Sequence, residues 1–134
     1  MMQDQALYSR GGVITERNAD YATVRVRIPA GVLSATQIKQ LAKISEKFGD
    51  GSLHLTMRQT VEIPHINPEN LPKVAKALEK NGTPIGAEYN EVVNIMACPG
   101  TERCKYANCE TIDLARKIDQ RVFGKELPIR LRIA

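Results

Sequence analysis

The sequence predicts an α+β fold, an antiparallel sheet with its helices on one face. Three observations carry that expectation. Residues 21–28, Tyr-Ala-Thr-Val-Arg-Val-Arg-Ile, alternate apolar and polar with the period of a half-buried strand. Two stretches, 34–49 and 67–82, repeat apolar residues at helical spacing between a capping residue and a closing glycine. β-rich runs at 53–63 and 92–97 supply the remaining strands. Strand, helix, strand, strand, helix, strand from about 21 to 97 is the split βαβ, ferredoxin-like order.

Each element has a local reason. Residues 1 to about 10 read as loose or peripheral, and Gly11-Gly12 as a turn. In the first strand Ala22, Val24, Val26 and Ile28 share one face, with Thr23, Arg25 and Arg27 on the other. Pro29-Ala-Gly31 ends it. Ser34 and Gln37 have the spacing of a capping box, and Ile38, Leu41, Ala42, Ser45 and Phe48 form the inward stripe up to Gly49. In 53–63, Leu53, Leu55 and Met57 share one parity, which Val61 and Ile63 resume after a bend at 56–60. Asn67 caps the second helix with Pro68 behind it, and Leu71, Val74, Ala75 and Leu78 face inward as far as Gly82. Residues 83–90 are a connector, 92–97 the next strand, about 105–122 a third helix with Ile112, Ala115, Ile118 and Val122 inward, and 127–133 a last strand. The expected division is an N-terminal segment over 1–20, a ferredoxin-like half-domain over 21–97, and the beginning of a second α/β unit over 98–134.

Composition narrows the function classes. At 134 residues with no Trp and two Phe, the core must be aliphatic. The net charge of +4 suits anionic ligands or an acidic partner but falls short of a nucleic-acid signature. No apolar run approaches the roughly 20 residues of a membrane span, and no secretory leader is visible. Three closely spaced cysteines argue against a disulfide framework and for a reducing compartment, so the cytoplasm is the expected location.

The chemistry concentrates in Asn94-Ile-Met-Ala-Cys98-Pro-Gly-Thr-Glu-Arg-Cys104-Lys-Tyr-Ala-Asn-Cys109, which holds all three cysteines. A turn that carries thiolates from a strand towards a helix is one way to present sulfur to iron. The spacing alone leaves three readings open: an iron–sulfur site on Cys98 and Cys104, a zinc site completed by Cys109 and His54 or His65, or free thiols. Cys109 lies about 140° around a helix from Cys104, which favours a structural role for it. Arg25, Arg27 and Arg58 would converge on one polycarboxylate if their strands are neighbours, with Arg103, Lys105, Arg130 and Arg132 adding positive potential; the alternative is a solvated charged face.

Three runs together resemble the sulfite/nitrite reductase family, the siroheme and [4Fe–4S] superfamily: Val24-Arg-Val-Arg-Ile-Pro-Ala-Gly31, Gly49-Asp-Gly-Ser-Leu-His-Leu-Thr-Met-Arg-Gln-Thr60, and Cys98-Pro-Gly-Thr-Glu-Arg-Cys104. The first two look like its ferredoxin-like half-domain, the third like the first Cys-x5-Cys half of its cluster motif. The resemblance implies Cys98 and Cys104 as cluster ligands. It implies Arg27 as a catalytic residue, with Arg25, Thr56, Arg58, Gln59, Thr60 and Asn94 around the siroheme. The family's second pair, Cys-x3-Cys, normally follows a strand of the type Leu127-Pro-Ile-Arg-Leu-Arg-Ile-Ala134, so the sequence is expected to be a truncated fragment. With two of four thiolates, it is expected to lack both cofactors and activity by itself. Two positions depart from the pattern: Val93, where the family often has Arg, and Glu62, where a neutral amide sometimes stands.

The implied function is part of an oxidoreductase that reduces sulfite or nitrite by six electrons. A low-potential donor such as ferredoxin would supply them, and a homodimer or sister subunit would complete the pocket; neither nucleic acid nor membrane is an expected partner. The competing expectation is a non-catalytic ferredoxin-like module that binds a tetrapyrrole or a partner.

Overall fold

The computed structural model describes residues 2–134, with side-chain burial from residue 5 onward. Among these residues four α-helices and four strands follow in the order α1 (Met2–Ser9), β1 (Val13–Thr15), β2 (Ala22–Arg25), α2 (Ala35–Phe48), β3 (His54–Leu55), β4 (Val61–Ile66), α3 (Leu71–Lys80) and α4 (Thr111–Val122). The sheet is antiparallel throughout, with strand order β1-β2-β4-β3. This is the expected α+β architecture.

The alternation of β2 sets the layers. Val24, Val26 and Ile28 are at most 3% exposed and join Leu41 and Ile44 of α2 and Leu71, Val74 and Leu78 of α3 in one apolar cluster. Burying such aliphatic side chains contributes roughly 1.5–3 kcal/mol each. Ser34 and Gln37 form both bonds of the capping box at the start of α2, 3.2 Å from Gln37 N to Ser34 Oγ and 3.0 Å from Ser34 N to Gln37 Oε1. Asn67 Oδ1 accepts from Glu69 N at 2.9 Å ahead of α3.

β2 and β4 slip by one residue between the Val24–Ile63 and Ala22–Ile66 pairs. The extra residue lies at Pro64-His65. Pro64 has no N–H to lose, and His65 takes a φ of +57°. Its amide donates to Glu16 Oε1 at 2.8 Å instead of to a strand.

Several expected details change. Residues 2–9, expected to be loose, form α1, and Leu7 and Tyr8 pack on the main cluster. The strand beside β2 at its C-terminal end is not 92–97 but the short piece around Ile85. Ile85 bridges Val26, Arg27 N donates to Pro84 O at 2.8 Å, and Gly86 N donates to Arg25 O at 2.9 Å. Residues 92–97 instead run extended outside the sheet, tied to 131–133 by Val93 N to Leu131 O and Met96 N to Ile133 O, both 3.1 Å. Val92, Val93 and Ile95 are all buried, as suits a segment covered on both sides rather than an edge strand. The expected last strand, 127–133, is reduced to one bridge at Leu131. The third expected helix starts at Thr111 rather than near 105, because turns occupy 100–107. Ile38 is 50% exposed and Ile44 takes its place inside, while Leu55 and Met57 stand 77% and 96% exposed on the two-residue edge strand and the loop beyond it.

A second apolar cluster forms around Ala30, Val92, Ile95, Ile112 and Ala115, joining α4 to the 92–97 segment. The sheet thus lies between α2/α3 on one side and the cysteine-bearing half on the other.

Candidate functional site

The loop 56–60 and the segment 94–98 are stitched together by side chains acting as backbone substitutes. Gln59, at φ +56°, donates from Nε2 to Ala97 O and accepts at Oε1 from Ala97 N, both at 2.9 Å. That two-bond pairing fixes the residue before Cys98. Gly31 makes room for it: a Cβ there would lie 2.7 Å from Gln59 Cβ, and its φ is +67°. Thr56 N donates to Thr60 O at 2.9 Å, closing the loop, and the Thr60 hydroxyl donates to Val26 O just past β2.

Asn94 is the other stitch. Its Oδ1 accepts from Ile28 N at 2.7 Å, and its Nδ2 donates to Ile28 O at 2.9 Å and Arg58 O at 2.8 Å. Arg58 Nη2 returns a 2.7 Å bond to Asn94 O. Asn94 therefore holds the end of β2, the loop and the pre-cysteine segment in one register, with both its amide hydrogens used inside the protein.

Cys98 is exposed, on a Pro-Gly turn built against the start of α4. Thr111 Oγ1 donates to Cys98 O at 2.5 Å and lies 3.8 Å from Cys98 Sγ. Gly100 has φ +58°, and a Cβ on it would meet Thr111 Oγ1 at 2.5 Å and Cys109 O at 2.8 Å. The Gly100 amide, hydrogen-bonded to the sulfur, and after it the neighbouring Thr111 hydroxyl hold the Cys98 thiol below its ordinary pKa. Cys104 is half-buried, its amide donating to Gly100 O at 2.9 Å, and Cys109 is exposed, its carbonyl accepting from Thr101 N at 3.2 Å. Lowering a thiol pKa enlarges the thiolate fraction at neutral pH by more than it reduces intrinsic nucleophilicity. Cys98 is accordingly expected to be the first of the three thiols alkylated by iodoacetamide near pH 7, with Thr111→Val slowing it; peptide mass spectrometry over a time course measures both.

A groove of about 420 Å³ brings together Thr56, Gln59, Thr60, Cys98 and Arg103 over a floor that includes Ile28 and Val61. Four of the expected site residues therefore share one cavity wall. The arginines occupy a neighbouring position. Arg25 Nε donates to Glu62 Oε1 at 2.9 Å, and its Nη1 lies 3.9 Å from Glu88 Oε2. Arg130 Nη1 reaches the same Glu88 oxygen at 3.4 Å. Arg58 is partly buried; burial first, with Arg132 and Arg130 adding to it and Glu88 opposing, pushes its pKa down from the ordinary guanidinium value. Its Nε is buried with no hydrogen-bond partner among the described residues. Four guanidiniums thus gather around Glu88 and Glu62, with positive charge in excess. Glu62, the departure noted in the sequence, is the carboxylate that holds Arg25 and also accepts His54 Nδ1 at 3.1 Å.

Arg27, expected at the substrate, is 1% exposed. Its Nε donates to Asp119 Oδ1 at 2.8 Å and its Nη1 to Val92 O at 2.8 Å. Nη2 lies 2.6 Å from the same Asp119 oxygen, and the guanidinium stacks 4.6 Å from the Phe123 ring centre. In this structure Arg27 faces α4. It shares the neighbourhood of 92–94 with Arg58, one guanidinium bonded to Val92 O and the other to Asn94 O.

As a metal site the chain offers two soft thiols on one turn, Cys98 and Cys104. Among the described residues no three His, Cys, Asp or Glu side chains stand together as a metal cage. His54 and His65 pair with carboxylates, His65 with Asp50 at 3.2 Å, and join no thiol in such a group. Glu88 and Thr111 had no signal in the sequence, since nothing in their spacing tells of the residues they meet across the fold.

Comparison with known proteins supplies the family. Residues 14–81, just over half of the chain, match the family described as the nitrite/sulfite reductase ferredoxin-like half domain. An uncharacterized protein of Methanocaldococcus jannaschii is 35% identical over 91% of the chain and 43% of its own length. One component of the anaerobic sulfite reductase of Salmonella typhimurium is 34% identical over 76% of the chain and 34% of its own length. The chain thus spans less than half of each of these relatives. The solved structure of the Mycobacterium tuberculosis NirA protein superposes with a TM-score of 0.76 at 23% identity, over 90% of this chain and 24% of that one, a likeness of fold. The chain belongs to the nitrite/sulfite reductase family, through its ferredoxin-like half domain.

Proposed function

We propose that this chain supplies one wall of a siroheme and [4Fe–4S] site in an enzyme that reduces sulfite or nitrite. The observation that carries the reading is the common groove of Thr56, Gln59, Thr60, Cys98 and Arg103, backed by the Arg25, Arg58, Arg130 and Arg132 cluster. A siroheme carries many carboxylates, and guanidinium forks are suited to them. Arg58 Nε, buried and unpartnered, is the donor left over for such a group. Cys98 and Cys104 would be two of the cluster's four thiolate ligands, with the other two from residues outside this set. When bound, the two groups would supply an iron to ligate the oxyanion and a route for single electrons.

The chain's own residues have separate tasks in this reading. Gln59 and Asn94 hold the thiol-bearing turn at a fixed distance from the loop. Gly100 and Thr111 shift the Cys98 thiol pKa downward. Arg58, with Arg130 and Arg132 near it, neutralises carboxylates. Arg27 fixes α4 to the sheet and so positions the turn from behind. A soluble low-potential donor such as ferredoxin would deliver the six electrons that sulfide or ammonia requires, and a sister subunit or second copy would close the pocket's other side.

Siroheme occupancy of the complete protein that carries this chain, read from its visible bands, tests the reading. Loss of one charge-assisted pair is worth roughly 1.5–3 kcal/mol, so Arg58→Ala is expected to weaken binding about ten-fold or more. Circular dichroism would verify that the variant stays folded. A complete wild-type protein without siroheme bands, or equal siroheme affinity in a folded Arg58→Ala, would overturn it.

A further inference from the structure

The face of the sheet away from the cysteines carries a second feature, which the proposed reductase site does not use. α2 presents Lys43 and Lys47, and α3 presents Lys73, Lys76 and Lys80, to one groove of about 530 Å³. Its floor is apolar, from Ile44, Phe48 and Ala77. No Asp or Glu lines it, and none of the five lysines has a carboxylate partner among the described ion pairs. Lys73 Nζ reaches only Asn70 Oδ1 at 3.4 Å, and Lys47 Nζ only the Phe48 ring at 5.2 Å.

Two physical points separate this groove from an ordinary solvated face. Lys43 and Lys47 are four apart on one helix, as are Lys76 and Lys80, with Lys73 three before Lys76; like charges at these spacings destabilise a helix by a few tenths of a kcal/mol each. The whole chain has a net charge of only +4, so without these five lysines it would be net negative. These five lysines stand where their spacing costs helix stability, and they flank apolar surface.

We infer that the α2–α3 groove docks an acidic segment of a partner polypeptide, with carboxylates against the lysines and an apolar side chain on Ile44, Phe48 and Ala77. Charge complementarity specifies the acid, and the apolar floor specifies a polypeptide. Nucleic-acid grooves favour arginine forks and stacking aromatics, whereas this one has neither beyond Phe48. Because the groove lies across the sheet from Cys98, partner docking and cofactor binding are separable.

The test uses a fluorescent peptide of three Glu-Glu-Leu-Glu repeats, followed by anisotropy with the chain at low and high salt. Saturable binding that weakens with salt is expected, and the Lys43→Glu/Lys76→Glu variant should lose about ten-fold or more in affinity. Lys125→Glu, a charge change of half the size outside the groove, should change it by less than about two-fold. A peptide with Ser in place of Leu should bind several-fold more weakly, since it lacks the apolar anchor. No saturable binding, equal loss in Lys125→Glu, or equal affinity for the Ser peptide would overturn the inference. So would a short DNA duplex that binds more tightly than the peptide through the same lysines.

Discussion

Asn94→Ala is expected to destabilise the chain by about 3 kcal/mol or more, the unfolding midpoint falling by roughly 10 °C. The residue is 6% exposed, so water cannot readily replace what its amide supplies. Truncation strips a partner from Ile28 N, Ile28 O and Arg58 O at once, three main-chain groups bonded at 2.7–2.9 Å. Each buried main-chain group left without a partner costs about 1–3 kcal/mol, and partial relaxation brings the sum to the lower part of the range. Asn94→Asp is the sharper variant. It keeps the shape and the acceptor for Ile28 N, but turns two donors into an anionic oxygen facing two carbonyls. It should therefore be at least as damaging as Ala, although it removes no packing. Urea melts of the three proteins, compared at constant m-value, decide this. A loss under about 1 kcal/mol for both variants would mean that the clamp carries little of the register.

Asn94 also shows how a residue expected at a cofactor shapes the site through its bonds within the protein. Its position just ahead of Cys98 was visible in the sequence. Its work lies in the bonds back to β2 and across to the loop. The same holds for Gln59, whose side chain pairs with Ala97 as a strand would. In both cases a polar side chain satisfies backbone groups that no regular strand reaches. A loop and a thiol turn from distant parts of the chain thereby become one rigid unit, and a metal or tetrapyrrole site needs that rigidity in its supporting shell.

What the sequence made legible was whatever depends on neighbours a few residues away. The capping box at Ser34 and Gln37, the cap at Asn67 and the alternation of 21–28 are local and appear as read. The run 92–97 could not be placed because, Asn94 apart, it is apolar throughout and has no period. It fits a central strand and a segment sandwiched outside the sheet equally well. The piece that pairs with the end of β2, Pro84-Ile85-Gly86, was hidden by its own punctuation, since Pro and Gly read as a connector. Leu55 and Met57 continued the inward parity of their strand, but the strand ends at Leu55 and the turn leaves both side chains in water. Parity correctly put Arg25 and Arg27 on one side of the sheet. Whether that side met water or protein depended on Asp119 and Phe123, more than ninety residues further on.

Arg27→Met and Asp119→Leu are each expected to cost about 3–5 kcal/mol, and the two together much less than their sum. Each single change leaves an uncompensated charge in a dry place, because Arg27 is 1% exposed and the Asp119 side chain 12%. The double variant removes both charges and sets two apolar side chains against Phe123, whose ring already stacks on the guanidinium at 4.6 Å. Its residual penalty is the Val92 carbonyl, which loses its 2.8 Å donor and should cost about 1 kcal/mol. Arg10 also stands over the Phe123 ring, 5.5 Å from its centre, its Nη2 bonded to Glu91 at 2.9 Å, so this corner keeps one partly buried pair. Urea melts of wild type, singles and double complete the cycle, and a coupling energy below about 0.5 kcal/mol would show that the pair does not act as a unit. The double variant also separates two roles for Arg27. If the guanidinium serves only to hold α4 against the sheet, the complete protein carrying the repacked pair binds siroheme as the wild type does. A stable double variant that has lost siroheme binding would instead place Arg27 at the ligand, with Asp119 as the group that keeps its fork aimed.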